Sequence, residues 1–259
     1  MKHKWTASFA LLVALALVGA GCGDGDDVDT DEFGLVSAGT LTVCTDSPYP
    51  PMEFEDADGN FTGFDIELMR AIAEDLGLET AVVNSGFDPI TSGLAMESGE
   101  CDIAAASITI NDEREANIDF SDPYFNGDQS LLVKADSGMT TLASFAGEKL
   151  GVQTGTTGEI YANENASDAS IVSYEGPGDL LTALVAGEVD GVLQDIVVNG
   201  EAALNDDSLT IAETYPTDEF YGLAVREDGK EALLAAVNTS LAKLRDDGTY
   251  NDIYDDFFK

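Results

Sequence analysis

Short apolar runs of strand length alternate with longer runs of helical spacing along this chain, and they do so twice. Residues 41–45 (LTVCT) read as a strand. Residues 53–55 and 61–63 flank Asp58-Gly59-Asn60, the signature of a hairpin with an Asp-Gly turn. Asp65 reads as the N-cap of a helix in which Ile66, Met69, Ile72, Ala73 and Leu76 recur at helical spacing until Gly77. Strands are predicted at 81–83 and 102–106, with a helix over 89–98 weakened by Gly93. Strands at 129–134, 150–153, 189–193, 210–214 and 221–225 then alternate with helices, a short one after 134 and others over 179–186, 195–204, 230–246 and 249–257. Such alternation calls for mixed, mainly parallel sheets covered by helices. Its appearance before about residue 127 and again after about 140 predicts an α/β chain of two lobes rather than an array of short repeats.

The charge balance excludes whole classes of partner. Fifty Asp and Glu stand against 11 Lys and Arg among 259 residues. A surface this acidic lacks the basic footprint that nucleic acid requires and does not adhere to anionic lipid. Apolar residues make up 44% of the chain, which marks a folded protein rather than an acidic disordered one. The imbalance points to a salt-rich habitat, where self-repulsion is screened and carboxylates keep the surface hydrated. The single histidine, His3, lies in a segment expected to be removed. A mature chain without histidine builds neither a Ser-His-Asp or Cys-His nucleophile system nor a His-ligated zinc site. The GTTG run at 155–158 lacks the lysine of a phosphate loop. No cofactor and no metal are expected.

Met1-Lys2-His3-Lys4, an apolar run from Phe9 to Val18 and Gly19-Ala20-Gly21-Cys22 make residues 1–21 a secretory signal. Cys22 after small residues resembles a lipobox cysteine, lipidated at the new N-terminus, although Gly19 stands where Leu, Val or Ile is usual. The expectation is an exported, membrane-anchored lipoprotein facing the periplasm or cell exterior. No other apolar run reaches the roughly 18 residues of a membrane span. Residues 22–37 read as an acidic flexible tether; a calcium loop starting at Asp24 fails, because Leu35 stands where the twelfth-position Glu belongs. Cys44 and Cys101 remain. Export permits a disulfide, but if their strands run parallel side by side the sulfurs are several residues out of level, so pairing stays open.

Four polar clusters each follow a predicted strand: Asp46 to Tyr49, Ser107 to Thr109, Thr154 to Thr157, and Gln194-Asp195. In open parallel sheets, ligands bind outside the carboxyl ends of strands, so two facing lobes would gather all four around one cleft. Arg114, one of four arginines, offers a planar fork suited to a carboxylate. Asp195 can take an ammonium group, Ser107, Thr109, Thr156 and Thr157 can add neutral hydrogen bonds, and Tyr49 and Phe87 can supply flat apolar walls. Each residue has a blander fate. Asp46 and Asp195 can cap turns or helices, the hydroxyls can bind their own backbone, the aromatics can be core, and Arg114 can be a surface ion pair. Only co-location favours a holder for a zwitterion.

The ordered segments LTVCTDSPYPPMEF, GFDIELMRAIAEDLG, AASITINDEREANIDFSDPYF, LGVQTGTTGE, VDGVLQD, YGLAVRE and RDDGTYNDIYDDFF, spread from about residue 38 to 259, resemble extracellular solute-binding protein family 3, the amino-acid receptors of bacterial ABC importers. The resemblance implies a two-lobe periplasmic-binding-protein type II fold with crossovers near 125–127 and 219–222, lobe I being 38–127 with 222–259 and lobe II 128–221. It implies a monomer that closes on an amino acid and is then read by a membrane permease. It assigns Arg114 to the ligand α-carboxylate, Asp195 to the α-ammonium, Ser107, Thr109, Thr156 and Thr157 to the head group, and Asp46, Tyr49 and Phe87 to the side-chain pocket. Met52, where an aromatic is usual, and Gly93, where a helix former is usual, are departures that bear on the pocket wall. Asp46 favours a polar or basic ligand. The enzyme alternative is a dehydratase of the same fold, resembling cyclohexadienyl dehydratase, with Asp195 or Asp46 as general acid.

Overall fold

The computed structural model describes residues 33–259. The signal segment, Cys22 and the tether up to residue 32 lie outside the described residues. The tether was expected to run to residue 37, but from Phe33 onward the chain is docked. Phe33 is buried in the core, Lys230 Nζ donates to the carbonyls of Phe33 (3.1 Å) and Gly34 (2.8 Å), and Val36 N donates to Asp102 Oδ1 (2.8 Å). Lys230 and Asp102 themselves form a buried ion pair at 3.0 Å.

The elements follow the predicted alternation. They run β1 (Thr40–Thr45), β2 (Phe54–Glu55), β3 (Phe61–Thr62), α1 (Phe64–Asp75), β4 (Glu79–Asn84), α2 (Phe87–Thr91), α3 (Leu94–Glu97), β5 (Ile103–Ala104), β6 (Ile118–Phe120) and β7 (Phe125–Asn126). There follow β8 (Gln129–Lys134), a 3-10 turn (Leu142–Phe145), β9 (Lys149–Gln153), α4 (Thr157–Asn165), β10 (Ser170–Tyr174), α5 (Pro177–Ala186), β11 (Gly191–Asp195), α6 (Ile196–Asn205), β12 (Leu209–Tyr215), β13 (Phe220–Tyr221), β14 (Ala224–Arg226), α7 (Glu231–Asp247) and α8 (Thr249–Phe258).

Two five-stranded sheets form, ordered β4-β1-β5-β14-β6 and β10-β9-β11-β8-β12. In the first, β1 runs parallel to β4 and β5, while β14, returning from the second half, is antiparallel to β5 and β6. In the second, β9 is parallel to β10 and β11, and β8 is antiparallel to β11 and β12. Both sheets are buried on two faces because successive side chains point opposite ways. Leu41 and Val43 enter one core and Cys44 the other; Leu131 and Val133 enter one, Leu132 the other. The two halves are joined by β7 and β13, which pair antiparallel, Phe125 against Tyr221. Among the described residues no helix is long and apolar enough to cross a membrane.

Two local readings change, and one left open is decided. Asp65 is not the helix cap. Gly63 is, at φ 117, and a Cβ there would lie 2.3 Å from the Met52 carbonyl oxygen, because the 51–52 backbone takes the Phe64 and Asp65 amides. Asp65 is fully buried in the first turn of α1. The helix expected over 89–98 is two short helices, broken at Gly93 (φ 81) where a Cβ would meet the Asn117 carbonyl oxygen at 2.9 Å. Cys44 and Cys101 form a disulfide, with Cα atoms 5.6 Å apart. Cys101 precedes the two-residue strand β5, so the ladder does not hold it to the height that strand pairing would dictate. α4 and β10 carry weak signals because α4 buries only Gly158 and Ala162, and β10 is an edge strand with no fully buried side chain.

The disulfide closes a separation of 57 residues. Replacing both cysteines by alanine is expected to cost about 4 kcal/mol on the loop-closure scale, read as a shift of the urea midpoint at fixed salt.

Candidate functional site

All nine residues singled out in the sequence meet in one cleft. Asp46, Tyr49, Phe87, Ser107, Thr109 and Arg114 face it from the first half, and Thr156, Thr157 and Asp195 from the second. The cavity they enclose is small, about 20 Å³, room for little more than a water molecule. The strand ends place them as the open-sheet rule requires. Asp46 follows β1, Ser107 and Thr109 follow β5, Thr156 follows β9, and Asp195 ends β11. Met52 lies wholly in the core and Gly93 off the cleft, so neither departure touches the wall; the aromatic wall is Phe87 and Tyr49.

Arg114 is 5% exposed, its guanidinium 5.0 Å from the Phe87 ring centroid. Nη1 donates to the Thr109 carbonyl (2.8 Å) and Nη2, across the cleft, to the Gly155 carbonyl (3.2 Å). Two of its five N–H groups are thus directed by backbone, which fixes the plane of the fork. Burial pulls Arg114 below its usual range, and Asp195 and Glu219 oppose that pull.

Asp195 does not cap α6: it occupies the cap position but makes no capping hydrogen bond. Its carboxyl group instead accepts from Tyr49 Oη (3.0 Å), from Tyr221 Oη and from Gln129 Nε2. Burial, the dominant cause, raises it to about 7, against the lowering by these hydrogen bonds. Asp46 accepts from Gln153 Nε2 of the facing half at 2.8 Å and is raised to about 6, again by burial. Among the described residues no ion pair joins Arg114 to either acid.

The hydroxyls divide. Thr156 takes the bland role: it accepts from Glu159 N to cap α4 and donates to the Gln153 carbonyl. Ser107 sits at φ 49, rare for a residue with a Cβ. Asp65 Oδ2 holds its amide at 2.8 Å, and its hydroxyl donates to Glu53 Oε2 at 3.3 Å. Thr109 and Thr157 both donate to Glu219, at 3.1 and 2.7 Å.

Several members escape sequence reading. Glu53 lines the cleft, fully buried, and is pushed well above the usual carboxyl range by burial and by its neighbours Asp65 and Asp46. Asp65, raised to about 6 by burial, accepts from Tyr124 Oη at 2.7 Å. Gln153 also lines the cleft, beside Gln194 of the cluster already named. A Glu in an isolated bridge with Tyr49, one residue before the hairpin strand β2, and a glutamine at the end of β9 give no local signal.

A model of the bacterial extracellular solute-binding proteins, family 3, matches residues 41–259. The chain is 31% identical over 231 residues to ABC transporter arginine-binding protein 1 of Escherichia coli (strain K12), an alignment covering 87% of this chain and 93% of that protein. Among solved structures it is similar to an ancestral arginine-binding protein bound to arginine, with 36% identity, a TM-score of 0.79, and coverage of 85% of this chain and 99% of that one. It is also similar to an ancestral amino acid-binding protein, a precursor of cyclohexadienyl dehydratase, with 34% identity, a TM-score of 0.76, and coverage of 85% and 96%.

Raised carboxyls bind protons more tightly in the folded state than in the unfolded chain. For Asp46, Asp65 and Asp195 the stabilising protonation is fully present near pH 4 and is lost as pH rises through about 6 to about 7. Their joint contribution is therefore expected to lower the melting temperature across that window at constant high salt. Asp195→Asn should flatten the upper part of the profile.

Proposed function

This chain belongs to the bacterial extracellular solute-binding proteins, family 3, and from that premise we propose that it captures a cationic amino acid by lobe closure and presents it to an ABC permease. The observation that carries the reading is a lone buried guanidinium, Arg114, sharing a cleft between two lobes with three carboxyl groups, Asp46, Glu53 and Asp195. The fork of Arg114 takes the α-carboxylate in a two-bond contact. Asp195, contributed by the other lobe, takes the α-ammonium. Phe87 and Tyr49 sandwich the aliphatic stem, and Asp46 receives the side-chain cation.

Charge selects among amino acids. Burial alone keeps these carboxyl groups partly protonated near neutrality. A ligand with two positive groups lets two of them ionise against a partner, whereas an acidic side chain would add a charge where Arg114 is the only cation lining the cleft. The relatives whose names carry arginine accord with this choice. Binding then favours the closed arrangement to the extent that the ligand touches both lobes. Lipidation at Cys22 would hold the receptor at the outer face of the membrane, a reading supported by the signal-like N-terminus. The acidic surface suits high salt.

A second reading comes from the structural neighbour described as a precursor of a dehydratase. A carboxyl group raised to about 7, such as Asp195, is poised as a general acid. The relatives named above are themselves binding proteins.

A thermal-shift panel of the common amino acids at high salt is expected to respond most to arginine, lysine or ornithine; a flat response to all of them removes the proposal. Arg114→Ala should weaken binding by about 2–5 kcal/mol, the usual loss when one partner of a buried charge pair is truncated, measured by calorimetry. Asp195→Asn should give a similar loss, and Asp46→Asn should hurt basic ligands more than glutamine. Release of phenylpyruvate from prephenate or arogenate would favour the dehydratase instead.

A further inference from the structure

Glu219 stands at the start of the second crossover, half-buried, and its contacts reach every part that must move when the lobes close. Its carbonyl oxygen accepts from Gly127 N and from Asn126 Nδ2, both at 3.0 Å, which ties it to the first crossover. Its Oε2 accepts from Thr109 Oγ1 of the first lobe (3.1 Å), from Thr157 Oγ1 of the second (2.7 Å) and from Gln129 Nε2 at the start of β8 (3.2 Å). One carboxylate thus links a hydroxyl from each side of the cleft. The turn before it is braced. Asp218 lies at φ 55, in the left-handed region that residues with a Cβ rarely adopt. Asp128 Oδ1 holds the Thr217 and Asp218 amides at 3.1 and 3.0 Å.

Gln129 connects this linkage to the ligand site. Its Nε2 donates to Asp195 as well as to Glu219, and also approaches Thr157 Oγ1 at 3.3 Å. An amide nitrogen has two hydrogens for these three acceptors. Tyr221, two residues on from Glu219, donates its hydroxyl to Asp195 too. The crossover therefore touches Asp195 by two routes.

We propose that Glu219 is a positioning residue that couples occupation of the Asp195 site to lobe closure, by gripping Thr109 and Thr157 with one carboxylate while sharing Gln129 with Asp195. An ammonium group on Asp195 satisfies that acid, and the Gln129 amide is then free to commit to Glu219. Glu219 is thereby held in place between the two threonines. Opening the cleft separates Thr109 from Thr157, so Glu219 must give up at least one of them to water. Glu219 in this scheme leaves the ligand untouched and governs how long the closed state lasts.

The inference rests on the reading of the chain as an amino-acid receptor that works by closure. Its test uses the full chain, L-arginine as the probe, small-angle scattering for closure and stopped-flow displacement for rates. Glu219→Ala is expected to raise the arginine dissociation rate about tenfold, the scale of one charge-assisted hydrogen bond, with the association rate little changed, and to lower the closed fraction at subsaturating ligand. Glu219→Gln keeps an acceptor oxygen and should fall between. A melting curve of each ligand-free variant confirms folding. The coupling is overturned if wild type closes on arginine and Glu219→Ala closes equally with an unchanged dissociation rate. A wild type that arginine leaves unaltered, in both scattering and melting, overturns the functional reading and the coupling with it.

Discussion

Everything in this structure is arranged around the cost of placing carboxyl groups out of water with one guanidinium among them. A buried carboxylate is tolerated only when hydrogen-bonded, paired or protonated. Each device is used here. Asp195 collects two phenols and an amide, Asp46 takes an amide from the opposite lobe, and Glu53 and Asp65 lie against each other with Tyr124 and Ser107 as donors. The fold is two sheets whose strand ends deliver these groups to one gap. The aromatic residues of the crossovers serve the same end. Tyr221 stacks on Phe125 at 5.8 Å and points its hydroxyl into the gap. Gly127 is required beneath it, since a Cβ there would lie 2.2 Å from the Tyr221 ring.

Much of this was legible in the sequence, for identifiable reasons. The strands and long helices announced themselves by period, as in α7, where Leu233, Val237, Leu241 and Leu244 are all buried. Arg114 stood out because cations are scarce in this chain, and Asp195 because it ends a strand. What escaped had its cause far away in the chain. Asp65 looked like a local cap, yet its partners are Ser107 and Tyr124, 42 and 59 residues on. Gln153 and Glu219 carry no local signature, and their partners lie 107 and 110 residues away, in Asp46 and Thr109. Thr156 shows the two readings side by side: it lines the cleft, as expected, while its hydroxyl caps α4. Local rules see capping and period; they are blind to which half of the molecule a polar side chain will meet.

The same separation explains why polar contacts between the halves are few and specific. Tyr49 to Asp195, Gln153 to Asp46, Arg114 to Gly155 and the two threonines on Glu219 are hydrogen bonds a chain can exchange for water at small net cost. The apolar cores lie mostly within each half; the exception is α6 of the second half, whose Val198 is buried in the cluster around β1 with Val197 packed against it.

The docked segment from Phe33 to Val36 has a mechanical consequence. Lys230 and Asp102, which hold it, flank α7 and β5 and so belong entirely to the half built on β1. Any pull that reaches Phe33 from its N-terminal side is delivered to that half. Were the lipidation proposed at Cys22 to moor the chain, the half carrying Asp195 would be the one to swing.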